Sequence, residues 1–388
     1  MSIRGKAFVA GAFEHPLREI PDRTLPQIHA EVCLGALADA GLALSDVDAY
    51  FCAGDSPGFG GLSMAEYLGL RCDWIDSTET GGSSYLVHLH HAAVAIAAGK
   101  VNVALISLAG KPRSGGAAPG GSGGFSSAPE ASFETLFGMV VVNGYALAAA
   151  RHFYEFGTTA EQLAEVKVAA AWHASHNPHA FLQDIVTVED VVNSPMISNP
   201  LHRLDCCVIT DGGGALVVVS PEVAATLGKR CVKILGAGES VKHTGGRIDL
   251  THTGAVRSGP IAFAEANVEP KDIDYVSIYD SFTITVVQTL EDLGFCEKGQ
   301  GGRFVQDGTL QAPFGKLPFN TDGGGLCNNH PANRGGMTKV IEAVRQLRGE
   351  ANPGVQVPNC QLALAHGTGG SLATRMGSAT VILGQEDS

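Results

Sequence analysis

The chain is poor in aromatic side chains, which make up 6% of its 388 residues, and poor in basic ones, with 26 Lys and Arg against 39 Asp and Glu. With few rings available, the core has to be built mainly from Ala, Val, Leu and Ile, as suits helices packed closely on sheets. A net charge of −13, with no cluster or stripe of Lys and Arg, leaves nothing to neutralise phosphates and excludes nucleic acid as a partner. The nine cysteines are odd in number and contain no CxxC, so neither a disulfide framework nor a structural zinc site is expected. No apolar run approaches a membrane span, and the run near the start is too short for a secretory leader. The expected compartment is a reducing cytoplasm, with no membrane partner.

Glycine is abundant, at 50 residues, and the chain repeats itself. The segment ADAGLALSDVDAYFCAGD (Ala38 to Asp55) matches AEANVEPKDIDYVSIYDS (Ala264 to Ser281) without a gap, at an offset of 226 residues. Each copy reads as a helix end, a turn with Gly41 or Asn267 at the cap, and a buried strand. Each is followed by a Gly-led helix and a further strand: GGSSYLVHLHHAAVAIAAGK with VNVALISLAG, and GGMTKVIEAVRQLRGE with CQLALAHG. Two matches in register predict a duplicated α/β unit. The first half is placed at 1–220 and the second at 221–388. Between the repeats, about 111–199 reads as an insertion on the first lobe. It opens with a Gly/Ser/Pro-rich stretch, Ser114 to Pro129, and continues in a helix capped by Thr159 with Gln162 three residues on.

Three stretches carry residue types that chemistry needs. STETGGSS (Ser77 to Ser84) is a strand-to-helix turn, where free N–H groups suit an oxyanion or a nucleophile; Ser83 or Ser84 could attack, though serine at a helix start is ordinarily a cap. LPFNTDGGGLCNNHPANRGG places His330 in a small polar loop before a helix, as an acid/base or a structural imidazole. ALAHGTGG puts His366 at the end of an apolar strand opening into glycines, where open α/β sheets hold their sites, or where a histidine is packed and inert. YDSF adds Tyr279 and Asp280 at the end of the duplicated strand. The triplets His88, His90, His91 and His173, His176, His179 lack the ligand sets zinc prefers, so no metal is expected.

VSIYDSFTITVVQTLEDLGFCEKGQ, LPFNTDGGGLCNNHP and IEAVRQLRGEA, in that order, resemble the sterol-carrier-protein branch of the thiolases, and the likeness runs through essentially the whole chain. It implies a five-layered αβαβα fold of two similar halves with an inserted loop domain. It also implies a CoA thioester as substrate, no separate cofactor, a homodimer and, as in some relatives, a small OB-fold or zinc-ribbon partner protein. By the same resemblance His330 stands for the histidine that activates the nucleophile, Tyr279 for the residue that fixes an oxyanion water, and His366 for a second acid/base. The backbone N–H groups of Gly82 and Thr368 stand for an oxyanion hole. The chain departs from the family at the nucleophile. The thiolase cysteine lies seventeen residues before the helix-ending glycine, here Gly99, and that position is Gly82. Glycine cannot form an acyl thioester.

Three functions follow as expectations. A CoA-thioester enzyme could break or make a C–C bond by retro-aldol proton transfer, with His330, His366, Tyr279 and Asp280 as its catalytic acid/base groups. An acyltransferase could use another nucleophile, such as Ser83. A non-catalytic subunit could pair with an active homologue.

Overall fold

The computed structural model describes residues 2–116, 131–134, 136, 138, 140–242, 249–331 and 335–385. Most of the Gly/Ser/Pro-rich stretch at the head of the insertion lies outside them. The first half runs β1 (Phe8–Glu14), α1 (Leu25–Ala40), β2 (Ala49–Phe51), α2 (Gly61–Leu68), β3 (Trp74–Asp76), α3 (Ser84–Ala97) and β4 (Val103–Gly110). The two long insertion helices follow, α4 (Val141–Phe156) and α5 (Ala160–Ala174), before β5 (Gly212–Val219). The second half runs β6 (Val232–Lys242), α6 (Ala255–Ala266), β7 (Tyr275–Ile278), α7 (Thr283–Asp292), α8 (Gly336–Arg348), β8 (Leu362–Gly370) and β9 (Met376–Gly384).

Local chemistry sets the boundaries. Thr24 and Thr159 each cap a helix reciprocally with a glutamine three residues on. Gly41, Asn267 and Gly349 end α1, α6 and α8 in the left-handed conformation. The strands β4 and β5 are buried along their whole length, as strands covered on both faces must be.

Among the described residues the main sheet has nine strands in the order β3-β2-β4-β5-β1-β6-β9-β8-β7. The repeat is visible in its topology. In the first half β2 runs parallel to β4, and β4–β5 and β5–β1 are antiparallel; in the second, β7 runs parallel to β8, and β8–β9 and β9–β6 are antiparallel. Only two residue pairs, Phe8 with Lys233 and Val9 with Val232, join β1 to β6.

The core divides into layers. One apolar cluster joins α3 and α8 to inward residues of both half-sheets, including Phe51, Ile106, Tyr275, Ala365 and Val381. A second packs α1 and α2 on the outer face of the first half-sheet. A third packs α6 and α7 on the outer face of the second. The order is helix, sheet, helices, sheet, helix.

One expectation is corrected. The insertion was expected on the lobe that encodes it, but α4 and α5 pack with α6 and α7 on the outer side of the second half. The apolar stripe of α4 (Val142, Tyr145, Ala146, Ala149) finds its complement in Phe282, Val287 and Leu372 there.

Candidate active site

The end of β7 and the loop before α8 bring two predicted residues into direct contact. Tyr279 Oη lies 2.7 Å from His330 Nε2, with the rings edge to face at a centroid distance of 5.4 Å. Both side chains are buried. Burial pushes the His330 imidazole down to about 4, and the charge of Asp280 offsets part of that effect. Burial, with Cys207 and Tyr145 close by, pushes the Tyr279 phenol well above its usual range. At neutral pH this is an uncharged pair sharing one proton.

Gly82 lies against that pair. It sits in the tight turn Gly81–Ser83 that leads into α3. A Cβ on Gly82 would overlap the Thr368 carbonyl oxygen and come within 2.6 and 2.7 Å of Tyr279 Cε2 and Cζ. The absent thiol is therefore more than a deletion, because the Tyr279 ring fills the room a side chain at 82 would need. The start of α8 approaches the same point: a Cβ on Gly336 would overlap the Gly82 carbonyl oxygen, and one on Gly335 would lie 3.1 Å from the Tyr279 ring. The structure thus gathers Gly82, Thr368, Tyr279 and His330.

Asp280 belongs elsewhere in the site than expected. Its carboxylate accepts the N–H groups of Gly325 (2.8 Å) and Leu326 (3.1 Å) and the Lys339 ammonium (3.0 Å). A Cβ on Gly324, whose φ is +62°, would overlap the same carboxylate. Asp280 is thus spent on clamping the 324–330 loop, which corrects its reading as an acid/base group. The other side of the loop is tied through Thr210, whose hydroxyl accepts the His330 N–H (2.9 Å) and donates to Asn329 Oδ1 (2.8 Å). Asn329 Nδ2 in turn donates to Glu14 (2.9 Å). Burial pushes the Glu14 carboxyl up, but Arg18 and Arg345 outweigh it and hold the group at about 2.

His366 does not join the hydrogen-bonded pair. Alternation along β8 turns Gly367 toward Ser83 and Leu86 of the central layer and His366 toward α6, where its Nδ1 meets Thr380 Oγ1 at 2.8 Å and Thr380 meets Ser258 at 2.9 Å. Its main chain is close to the site, the His366 carbonyl accepting the Tyr279 N–H at 2.9 Å. Its Nε2 is buried with no partner, and burial pushes the imidazole down to about 3. Among the described residues no hydrogen bond or ring contact joins the His366 and His330 imidazoles. Ser83 is corrected as a nucleophile: its hydroxyl donates to the Thr80 carbonyl (2.8 Å) and meets Thr80 Oγ1 (3.0 Å), not a base. Ser84 accepts the Thr80 N–H at 2.9 Å instead of capping α3 from its own N-terminus.

Sequence reading missed Cys207 and Tyr145 as neighbours of Tyr279. Both come from segments remote from residue 279, and no local pattern links them. The Cys207 thiol is pushed up strongly by burial and by Cys206, so it stays protonated and is a poor nucleophile. Reading also found no acid beside His90 and His91. The fold supplies Glu239 Oε1 at 2.5 Å from His90 Nδ1 and Asp76 Oδ2 at 2.6 Å from His91 Nδ1. His173 accepts the Ala312 N–H at 2.8 Å.

With this geometry in hand, comparison with known proteins is informative. Residues 236–385 match the family described as thiolase C-terminal domain-like. An acetyl-CoA acetyltransferase of Methanothermobacter thermautotrophicus is 32% identical over 382 residues, 95% of this chain and 98% of that one. A steroid side-chain-cleaving aldolase of Thermomonospora curvata is 35% identical over 362 residues, 89% of this chain and 91% of that one. The solved structure of an Ltp2-ChsH2(DUF35) aldolase superposes with a TM-score of 0.89 at 32% identity, covering 99% of both chains.

Proposed function

The chain belongs to the thiolase superfamily, in its sterol-carrier-protein-like branch, and from that premise we propose that it is an enzyme cleaving, or in reverse forming, a C–C bond in a β-hydroxyacyl-CoA thioester by retro-aldol proton transfer. The observation that carries this reading is the Tyr279–His330 hydrogen bond at 2.7 Å, with the tyrosine ring standing in the room of a nucleophile's side chain.

The step uses that pair. Tyr279 Oη takes the proton of the β-hydroxyl as its own proton passes to His330 Nε2. The β-oxygen becomes a carbonyl, the Cα–Cβ bond breaks, and its electron pair passes into the thioester enolate. The Gly81 N–H of the turn is already given to Glu79 (2.7 Å), so it is the main-chain N–H of Gly82 that holds the enolate oxygen. The proton then returns through the pair to Cα, and a ketone or aldehyde and a shortened acyl-CoA leave. Covalent acyl transfer has weaker support, since Ser83 is spent on Thr80 and the Cys207 thiol is held protonated. The aldolases among the relatives further favour C–C cleavage.

The solved aldolase is a complex with a DUF35 component. A partner of that small class, with a homodimer of this chain, completes the proposed assembly. Among the described residues no helix is long and apolar enough to cross a membrane.

The test supplies purified protein, with and without such a partner, with a β-hydroxyacyl-CoA and measures the released carbonyl compound and acyl-CoA. Release that is lost in Tyr279→Phe and His330→Ala supports the reading. Protein-bound label from a radiolabelled acyl-CoA, persisting in Tyr279→Phe, would replace it with acyl transfer.

A further inference from the structure

Beneath the His330 loop lies a knot of buried charge. Four carboxylates, Glu14, Asp280, Asp322 and Glu342, are buried there, and among the described residues three cations face them: Arg18, Lys339 and Arg345. Four against three leaves one negative charge in excess, and an uncompensated buried charge is costly enough that a group takes up a proton instead. The hydrogen bonds say which group. Glu14 accepts from Arg18 (2.9 Å), Arg345 (3.2 Å) and the amides of Asn328 (3.3 Å) and Asn329 (2.9 Å). Asp280 accepts from two main-chain N–H groups and Lys339, and Asp322 from the Gly324 N–H and Asn328 Nδ2, both at 2.9 Å. All of these partners donate only. Glu342, on α8, has the Arg345 Nη1 that already serves Glu14, at 3.3 Å, and the Thr321 hydroxyl at 2.6 Å. A hydroxyl can accept a proton as well as give one, so Glu342 alone has a partner suited to its protonated form. Tyr275, which meets Thr321 at 3.3 Å from β7, adds no charge, because burial pushes its phenol well above the usual range. Arg345, 29% exposed, lines a cavity of about 330 Å³ with Glu14 and Arg18, which gives the knot its contact with solvent.

We propose that Glu342 is a positioning residue for the reaction: it carries the proton that balances this cluster, and the loop bearing His330 is held in register only while it does. When Glu342 ionises it competes with Glu14 for Arg345 Nη1, and Glu14 is what holds Asn328 and Asn329, the two residues before His330. The reacting pair has no group of its own that titrates near neutrality, since His330 is held at about 4 and the Tyr279 phenol well above its usual range. Burial lifts the Glu342 carboxyl to about 7, against the pull of Arg345 and with Asp322 adding to the rise. A response to pH near neutrality therefore comes from beneath the loop, not from the reacting atoms. The inference rests on the retro-aldol reading above and adds its pH control.

The experiment follows both turnover and the proton. In wild type, kcat for carbonyl release from a β-hydroxyacyl-CoA should fall about tenfold between about pH 6 and about pH 8, while KM moves less than about twofold. Glu342→Gln keeps the shape and the contact with Arg345 without the charge, and should hold at about pH 8 the kcat that wild type shows at about pH 6. Infrared titration should show a protonated carboxyl in wild type that is lost over the same range, that shifts in protein made with isotope-labelled glutamate, and that is absent from Glu342→Gln. The labelled wild type decides the point alone if the variant fails to fold. In thermal melts, wild type should lose stability relative to Glu342→Gln as pH rises from about 4.5 through about 7. A carboxyl raised by folding contributes fully below its unfolded value and ceases to above its folded one, and the buried histidines are common to both proteins. A flat wild-type profile, an undiminished fall in Glu342→Gln, or a carboxyl band that ignores labelled glutamate overturns the inference and leaves the retro-aldol reading standing. No carbonyl release at any pH overturns that reading, and the infrared titration and the melts then still decide whether Glu342 carries the proton.

Discussion

The two halves each begin a central helix with glycines, and the two starts meet at Gly82 and Gly336, yet they bring different things to the meeting. The first half contributes main chain: the Gly81–Ser83 turn, with its serines bonded back to Thr80. The second contributes the reactive side chains, Tyr279 and His330, and the Asp280–Lys339 clamp beneath them. The first-half turn is thus bare main chain, while the reactive side chains beside it come from a strand end and a loop of the second half. The Tyr279 ring of the second half occupies the room that a side chain at residue 82 of the first would need.

The sharpest way to break this comparison is at Tyr279. Tyr279→Phe should keep the fold and lower kcat for carbonyl release by about 10³-fold, within the range for losing a positioned proton-transfer group. Asp280→Ala comes next. It strands the Lys339 ammonium and frees two loop N–H groups, so denaturant titration should show a loss of about 3 kcal/mol. Gly82→Cys tests whether the bare side can be refurnished. Overlap with the Thr368 carbonyl and the Tyr279 ring should cost about 2 kcal/mol, and mass spectrometry should find no acyl-enzyme.

The pH response separates the halves less sharply. Burial holds His88 and His330 at about 4 and His173 and His366 at about 3, so all four are neutral when folded. The unfolded chain binds protons on them below about pH 6.5. Stability should be full above that pH and fall as pH drops toward 3, visible in thermal melts, and His330→Asn should flatten part of the fall. The smallest effect is expected at Ser83→Ala, about 1 kcal/mol of stability and less than a threefold change in turnover.

Much of the fold was legible because it is written locally. The αL caps at Gly41 and Asn267, the Thr159–Gln162 box and the paired helix–strand order all concern residues near one another in sequence. What was not legible depends on long-range placement. Nothing around Tyr145 says that its helix crosses to the second half. Strand parity, which turns His366 toward Ser258, becomes certain only once β8 has neighbours in register. Asp280 looked reactive because its partners, Gly325, Leu326 and Lys339, lie more than forty residues away. Where a side chain's hydrogen-bonding capacity is already used, residue type alone misleads about role.

The narrow seam between β1 and β6 has a wider meaning. With two residue pairs joining the strands, the halves adhere mainly through α3 and α8, which serve both inner faces at once, and through the insertion helices α4 and α5 packed on the second half. Cutting the chain between β5 and β6 would strip each fragment of the surface that hides its apolar side. In the thermodynamic sense the two repeats are one domain, and calorimetry should record one melting transition for both.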